Sequence, residues 1–264
     1  MARGPPIEAK LSLDPFQLAV LTVTAFLTSI LSAIIGMAGG ITLLSVMLLF
    51  YDPLVAIPVH GVVQLVSNGS RTWFQRKYVD RGILLRYAAL LAPGGVLGIA
   101  LLREAPPDLI RALIGIFVLL ATWARQWLLL GTRPERTDRN RRFLALGAVV
   151  GVLNTTIGAT GPLIAPFFLE IGLTRQALVG TKAACQAAGH LVKIALFGLV
   201  GFAFAAWLAP LALLCAAVIA GTWLGTRMLD RVSERLFVLL YRVVLTAIAL
   251  RLVIHDGGAW LGLH

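Results

Sequence analysis

The chain has 264 residues, of which 59% are hydrophobic and 13% are charged, and its mean hydropathy is +0.89. These values exclude an ordinary soluble domain, in which about a quarter of the residues are charged. A net charge of +11 would suggest nucleic-acid binding in a soluble protein. Here most basic residues fall in three short stretches, 71–86, 125–142 and 227–242. Short basic loops of this kind mark the cytoplasmic side of a multi-pass membrane protein, and no nucleic-acid partner is expected.

In chain order, eight apolar stretches follow one another: 16–50, 54–74, 83–102, 109–131, 143–173, 176–201, 205–226 and 236–254. At about 20 residues per crossing, the chain has room for roughly eight to ten membrane segments. An all-α polytopic membrane protein is therefore predicted. The run that begins at residue 16 is too long for a cleavable signal sequence, so we expect nothing to be removed.

The longest polar segment divides the apolar stretches into two halves of four. This division predicts five parts: an N-terminal tail 1–15, a first transmembrane repeat 16–131, a basic cytoplasmic linker 132–142, a second transmembrane repeat 143–254 and a C-terminal tail 255–264.

The first stretch of each half is too long for one crossing and too short for two. Each contains a glycine break near its middle, Gly36–Gly40 in the first half and Gly158–Pro162 in the second. Such a break is tolerated at membrane depth only where the backbone is buried in protein or faces a wet cavity. The pattern predicts a re-entrant or broken helix hairpin in each half; a crossing kinked at its glycines for packing is the alternative.

The two halves are related at a constant offset of 122 residues, followed by an offset of 127. The matched pairs are Gly36 with Gly158, Gly39 with Gly161, Gln64 with Gln186, Arg71 with Lys193, Gly94 with Gly221 and Gly98 with Gly225. The last two pairs form small-xxx-small patterns suited to close helix packing. Placing the basic loops on the cytoplasmic side requires an inward-folded hairpin in the second half and an N-terminus outside, so the repeats are predicted to be inverted.

Inverted repeats bring the two hairpin tips together from opposite faces of the membrane. A helix that begins at such a tip directs backbone N–H groups and its positive dipole end at an anion, and glycine allows close backbone approach. The segment after each hairpin also carries a polar row on one helical face, since the spacing is i, i+4, i+8, i+11. The rows are His60, Gln64, Asn68 and Arg71, and Lys182, Gln186, His190 and Lys193.

Polar residues inside membrane segments usually face the bundle interior or a water-filled route, so the rows indicate a binding site. The predicted substrate-binding residues are Gly36, Gly39, Gly40, His60, Gln64, Asn68, Gly158, Thr160, Gly161, Lys182, Gln186 and His190. Other roles stay open for several of them. Lys182 suits an anion contact or a structural ion pair, and the two glutamines suit substrate contacts or bonds between helices. The two histidines suit proton carriage or neutral hydrogen bonding.

Arg71 and Lys193 lie near segment ends, where extension of the side chain to the membrane interface is the favoured interpretation. Acidic residues are scarce in the apolar stretches, which argues against a cation pathway. Cys185 and Cys215 have neither metal-ligand nor disulfide spacing and are interpreted as packing residues. Cys185 and His190 do not share a helical face, so no catalytic nucleophile is predicted. No cofactor, metal site or enzymatic activity is expected.

The sequence resembles the sulfite exporter TauE/SafE family of membrane permeases. The resemblance covers roughly residues 16 to 254 and rests on four segments: Gly36–Gly40, Gly158–Pro162, Pro93–Gly98 and Gln75–Asp80. It implies an inner-membrane transporter of sulfite or of an organosulfonate such as sulfoacetate, usually in the export direction. The chain departs from the glycine-rich family pattern at Ala159, Thr160 and Pro162 and has Ser45 where proline is frequent, so the particular substrate is left open.

Together, the residues predict a secondary transporter for a small anion that works by alternating access around a midplane site. The alternatives are a passive anion channel, which uses the same features without alternating access, and a permease for another small anion. A scaffold without transport would have no reason to carry duplicated polar rows. The expected partners are the anionic substrate and membrane lipids, with protons as a candidate coupling ion and a homo-oligomer left open.

Overall fold

The computed structural model describes residues 14–35, 39–124, 127, 138–169, 172–228 and 234–263. Within these ranges the fold is all helical, as predicted. The α-helices are α1 (Pro15–Ile35), α2 (Gly39–Met47), α3 (Pro53–Phe74), α4 (Arg81–Ala89), α5 (Leu91–Glu104), α6 (Pro107–Trp123), α7 (Arg139–Thr156), α8 (Gly161–Leu169), α9 (Arg175–Leu199), α10 (Leu208–Met228), α11 (Glu234–Arg251) and α12 (Gly257–Trp260). The predicted N-terminal tail up to residue 13 and residues 132–137 of the predicted linker lie outside the described residues.

The long first stretch of each half is divided into two helices at its glycine break. In the first half, α1 ends at Ile35 and α2 begins at Gly39, and the two helices pack together; Gly36 lies outside the described residues. In the second half, α7 and α8 are separated by a turn in which Gly158 has a φ of 84°. Because that left-handed conformation favours glycine, the second stretch is a broken helix and not one continuous kinked helix.

The third apolar stretch differs from the sequence prediction of one uninterrupted segment. The structure divides it at Leu90 into α4 and α5. Pro93 explains the division, because it lacks the N–H group that would bond to the carbonyl oxygen of Ala89 in a continuous helix.

Side-chain caps fix the starts of several helices. Asp80 accepts a hydrogen bond from the N–H of Ile83 at 3.0 Å at the start of α4. Asp138 accepts from the N–H of Arg141 at 2.9 Å at the start of α7, and Thr174 caps α9 in the same way. These bonds satisfy backbone donors that the first turn of a helix leaves without a partner.

Within the part of the chain that the structure describes, four helical segments are long and apolar enough to cross a membrane: Pro15–Ala33, Arg81–Glu104, Phe204–Gly225 and Arg242–Trp260. Two further helices, α3 with 22 residues and α9 with 25, also have the length for a crossing. Their hydropathy is lower because these two helices carry the polar rows. The chain is thus a multi-pass membrane protein.

Helices of the two halves pack in reciprocal pairs. The helix α1 packs against α10, α7 packs against α4 and α5, and α3 packs against α9. A Cβ atom at any of four glycines would overlap a carbonyl oxygen of the facing helix: Gly94 that of Ala148, Gly98 that of Val152, Gly221 that of Phe26 and Gly225 that of Ile30. Both small-xxx-small patterns therefore form close helix contacts, as predicted, and their partner residues in α1 and α7 are themselves 122 positions apart.

The helices α3 and α9 run in opposite directions where they pack. Near the start of α3, Gly61 lies against the side chain of Lys193, late in α9. Just beyond the end of α3, Gln75 lies against Gly180, early in α9. The two polar rows are thereby brought to face each other.

Candidate functional site

A small cavity lies where α2, α3, α8 and α9 meet. The space open to the centres of water molecules is about 30 Å³, enough for about two waters. Its lining residues are Ser32, Gly40, Ile41, His60, Gln64, Asn68, Arg71, Ala159, Thr160, Gly161, Pro162, Lys182, Gln186 and His190. Both glycine breaks and both polar rows thus contribute to one cavity, although they are far apart in the chain.

The first tip is held by bonds to neighbouring polar side chains. The N–H of Gly39 donates to the Oγ of Ser32 at 3.1 Å. The carbonyl oxygen of Gly40 lies 2.8 Å from the Nε2 of His60; because a carbonyl can only accept, Nε2 carries the hydrogen. A Cβ atom at Gly39 would overlap the backbone of Thr28 and the hydroxyl of Ser32, so close packing of α1 and α2 requires glycine here.

The second tip is held by a buried lysine. The Nζ of Lys193 donates to the carbonyl oxygen of Gly158 at 3.0 Å and lies 3.5 Å from the Oδ1 of Asn154. The side chain of Lys193 is 0% exposed, which contradicts the prediction that it extends to the membrane interface. Gly61 makes room for it, because a Cβ atom there would lie 2.7 Å from the Cε of Lys193.

The interface prediction is also wrong for Arg71. Its side chain lines the central cavity, and its guanidinium donates to the Oγ of Ser67 at 2.9 Å and to the Ser67 carbonyl at 3.3 Å. The signal that could have corrected both residues is their membership of the repeated polar rows, which places them on the same helix faces as the buried glutamines and histidines.

The two histidines meet in the cavity from opposite rows. The ring centroids of His60 and His190 lie 6.0 Å apart, with the ring planes at 81°. Both side chains are buried, and among the described residues the Nδ1 atom of each has no hydrogen-bond partner. The Oδ1 atom of Asn68 is likewise buried without a partner, while the amide nitrogen of Asn68 donates to the carbonyl of Gln64 at 3.0 Å. The cavity thus contains polar atoms available to a ligand.

Nine of the twelve residues predicted to bind substrate line this cavity. Gly39 and Gly158 are buried beside it without lining it, and Gly36 lies outside the described residues. Five lining residues were not predicted to bind substrate: Ser32, Ile41, Arg71, Ala159 and Pro162. Four of these five lie within or next to the two glycine motifs or in the last turn of α1, so proximity to the breaks is the signal that could have found them.

The charges around the cavity are positive. Arg71 and Lys182 line it, and Lys193 lies behind the second tip. None of the described residues that line it is acidic. The first residues of α2 and α8 also border the cavity, and the positive end of a helix dipole lies at its first turn. Such a site attracts an anion and not a metal cation.

Comparison with known proteins agrees with this geometry. Residues 21–252 match the family described as sulfite exporter TauE/SafE. The chain belongs to the sulfite exporter TauE/SafE family. A relative from Sinorhizobium sp, named "Probable membrane transporter protein ORF9", is 27% identical over 259 residues, covering 93% of this chain and 97% of its own length. No solved structure matches the chain. The TauE/SafE membership and this relative support membrane transport, and neither points to catalysis.

Proposed function

We propose that this TauE/SafE protein is a secondary transporter that moves a small sulfur-containing anion, sulfite or an organosulfonate such as sulfoacetate, out across the bacterial inner membrane. The observation that carries the proposal is the central cavity, where two polar rows and two helix breaks from different halves converge. Its charged lining residues, Arg71 and Lys182, are both cationic among the residues described. A protein that carried cations would need carboxylates at this position.

Alternating access requires two structurally related halves that can rock against each other. Three features support inverted repeats of eight to ten membrane segments: the sequence offset of 122 residues, the opposite directions of α3 and α9, and the reciprocal packing of α1 on α10 and of α7 on α5. In this mechanism the site stays near the midplane while each side opens in turn.

The cavity size also favours alternating access over an open channel. A space for about two water molecules is too small for a hydrated oxyanion, so the tips at Gly40 and Gly161 must separate before substrate enters. In the separated state we propose that the anion is bound by the twelve residues predicted from the sequence, with Gly36 included, and by Arg71. Lys182 supplies positive charge, and Gln64 and Gln186 supply amide donors.

Protons are the proposed coupling ion. The Nδ1 atoms of His60 and His190 are the proposed proton acceptors, since each is buried and has no partner in the described part of the chain. Two cations act electrostatically on this pair: Lys193 on both histidines and Arg71 on His190. A bound anion offsets those charges, so anion and proton binding should each strengthen the other. No catalytic role is proposed for Cys185, which is buried and separated by five positions from His190.

Flux measurements in proteoliposomes test the proposal. Purified protein is reconstituted, and entry of sulfite, sulfoacetate, sulfate and chloride is compared with and without a pH gradient. We expect saturable, gradient-dependent movement of sulfite or the sulfonate, together with counterflow. Flux that only follows the electrochemical gradient would favour the passive channel, and absence of flux for all four anions would refute the substrate class.

A further inference from the structure

A second and larger cavity adjoins the central one at the end of α3. It lies between α1, α3, α9 and α10, and the space open to the centres of water molecules is about 610 Å³. Arg71 lines both this cavity and the central cavity. Its wall is formed mainly by apolar side chains, among them Phe74, Ile219 and Trp223, and its other polar residues are Ser70, Gln75, Gln176 and Thr222. We call this space the vestibule.

The guanidinium of Arg71 is held in place by hydrogen bonds that occupy only part of its N–H donors. Among the described residues it makes two hydrogen bonds, both to Ser67, one turn earlier on α3. A guanidinium has five N–H donors in a planar fork, so three remain for a bidentate contact with an oxyanion. The bond to Ser67 orients the side chain at the junction between the two cavities.

The opposite end of α3 is closed by contacts between side chains. The ring of Tyr51 packs edge-on against Trp207 with centroids 5.3 Å apart. Arg111 of α6 binds Asp52 at 2.6 Å and Asp108 at 3.2 Å. These contacts tie the loop before α3 to α6 and to the segment before α10. Within the described residues, the central cavity adjoins the vestibule at Arg71.

We propose that the vestibule is the aqueous route by which the anion reaches the central cavity from the cytoplasm, and that Arg71 binds the anion as it passes between the two. The inference deepens the proposed function and rests on it. The vestibule lies beside the basic segment 76–86, which places it on the cytoplasmic side. The structure then corresponds to a conformation in which the vestibule faces the cytoplasm while the central cavity is still too small for the anion, the state that precedes loading of an exporter.

Cysteine labelling tests the route. Cys185 and Cys215 are first replaced by alanine, and Ser70→Cys or Thr222→Cys is introduced into the vestibule. A membrane-impermeant, sulfonate-bearing thiol reagent is applied to inside-out and right-side-out vesicles. The matched control is Leu113→Cys, which lines a comparably large but apolar groove of about 440 Å³ between α5, α6 and α7. That groove should hold lipid and exclude the reagent.

We expect the two vestibule cysteines to react rapidly in inside-out vesicles only, and an organosulfonate such as sulfoacetate, which does not itself react with the reagent, to slow the labelling. Labelling of Ser70→Cys that is no faster than that of Leu113→Cys, or that is equal from both sides, would overturn the route. The role of Arg71 is tested separately with Arg71→Gln, Arg71→Lys and Ser67→Ala.

Arg71→Gln should raise KM for the anion by about tenfold or more, as expected for loss of a charge-assisted contact, with a smaller effect on the maximal rate. Arg71→Lys should restore part of the affinity because it keeps the charge. Ser67→Ala should have an effect smaller than Arg71→Gln, because it removes one orienting bond and keeps the one to the Ser67 carbonyl. Equal KM values in wild type and Arg71→Gln would overturn the anion contact. If the wild type moves none of the anions while Ser70→Cys is labelled from inside, the route stands and the proposed function fails.

Discussion

Replacing Lys193 with methionine should change the position of the second tip while leaving the stability of the fold nearly unchanged. The bond from Nζ to the Gly158 carbonyl, at 3.0 Å, is charge-assisted and contributes about 1.5–3 kcal/mol. The contact to Asn154 at 3.5 Å is at the limit of a hydrogen bond and adds little. Methionine, however, carries no charge, so the variant avoids the cost of burying the lysine ammonium. That desolvation cost is several kcal/mol, which is about the size of the hydrogen-bond energy that is lost.

These opposing contributions predict that Lys193→Met changes the free energy of unfolding by less than about 2 kcal/mol, in either direction. The tip around Gly158 nevertheless loses its anchor, so we expect anion flux to fall by about tenfold or more, because a displaced binding group costs at least about 1.4 kcal/mol. Thermal unfolding of the detergent-purified variant and proteoliposome flux measure the two quantities independently.

A second substitution, on the facing helix α3, disturbs the same bond between Lys193 and the second tip. Gly61→Ala places a Cβ atom 2.7 Å from the Cε of Lys193, which must displace the lysine, so its flux should fall as well. Gly69→Ala on the same helix is the matched control, because a Cβ atom there has no neighbour within 4 Å. Normal flux in a folded Lys193→Met protein would refute the anchoring role. Loss of flux in Gly69→Ala would show that α3 tolerates no substitution and that Gly61→Ala is uninformative.

Three further outcomes are expected. Lys182→Ala should lower anion flux while gel filtration still shows a folded protein; unchanged flux would remove Lys182 from the site. In wild type, methanesulfonate should bind more tightly as pH falls, because its own negative charge is constant and a proton on the histidines offsets that charge. Titration calorimetry should show that the double variant His60→Gln, His190→Gln loses this pH dependence. A pH dependence that persists in the double variant would refute the proton site. Gly98→Val and Gly225→Val should each cost about 1–3 kcal/mol in thermal unfolding by overpacking, and two unaffected melting profiles would contradict the contacts.

The helical stretches and the central cavity could be predicted because polar residues within membrane helices usually face the bundle interior or a water-filled route. His60, Gln64, Lys182 and Gln186 stand out in apolar surroundings, and helical periodicity places each row on one face. The repeat offset then brings the rows together without any knowledge of coordinates. The same reasoning found the close contacts at Gly94 and Gly221, since small residues at a spacing of four have a packing role in membrane helices.

The positions of Arg71 and Lys193 could not be predicted from their own segments. A long cationic side chain near a helix end extends to the interface unless the protein supplies a partner deeper inside. For Lys193 that partner is a backbone carbonyl of another helix pair, at Gly158, and the room comes from a missing side chain at Gly61. Neither feature is visible in the local sequence, because both depend on how α3 and α9 cross.

The division of the third stretch at Leu90 was missed for a different reason. Apolar residues continue through it, and hydropathy does not report backbone hydrogen bonding. Pro93 was visible in the sequence as part of a glycine-rich motif. Its effect on the carbonyl four residues earlier identifies the break without coordinates.

The reciprocal glycine contacts have a consequence for biosynthesis. The helix α1 is synthesised before the other described helices, but the glycines that contact it, Gly221 and Gly225, lie in α10, more than 170 residues later. The contacts of α7 with Gly94 and Gly98 can form much earlier. Until α10 is made, α1 remains in the bilayer or the insertion machinery without the glycines that contact Phe26 and Ile30. Premature termination before residue 208 should therefore leave a bundle in which α1 lacks its main packing partner.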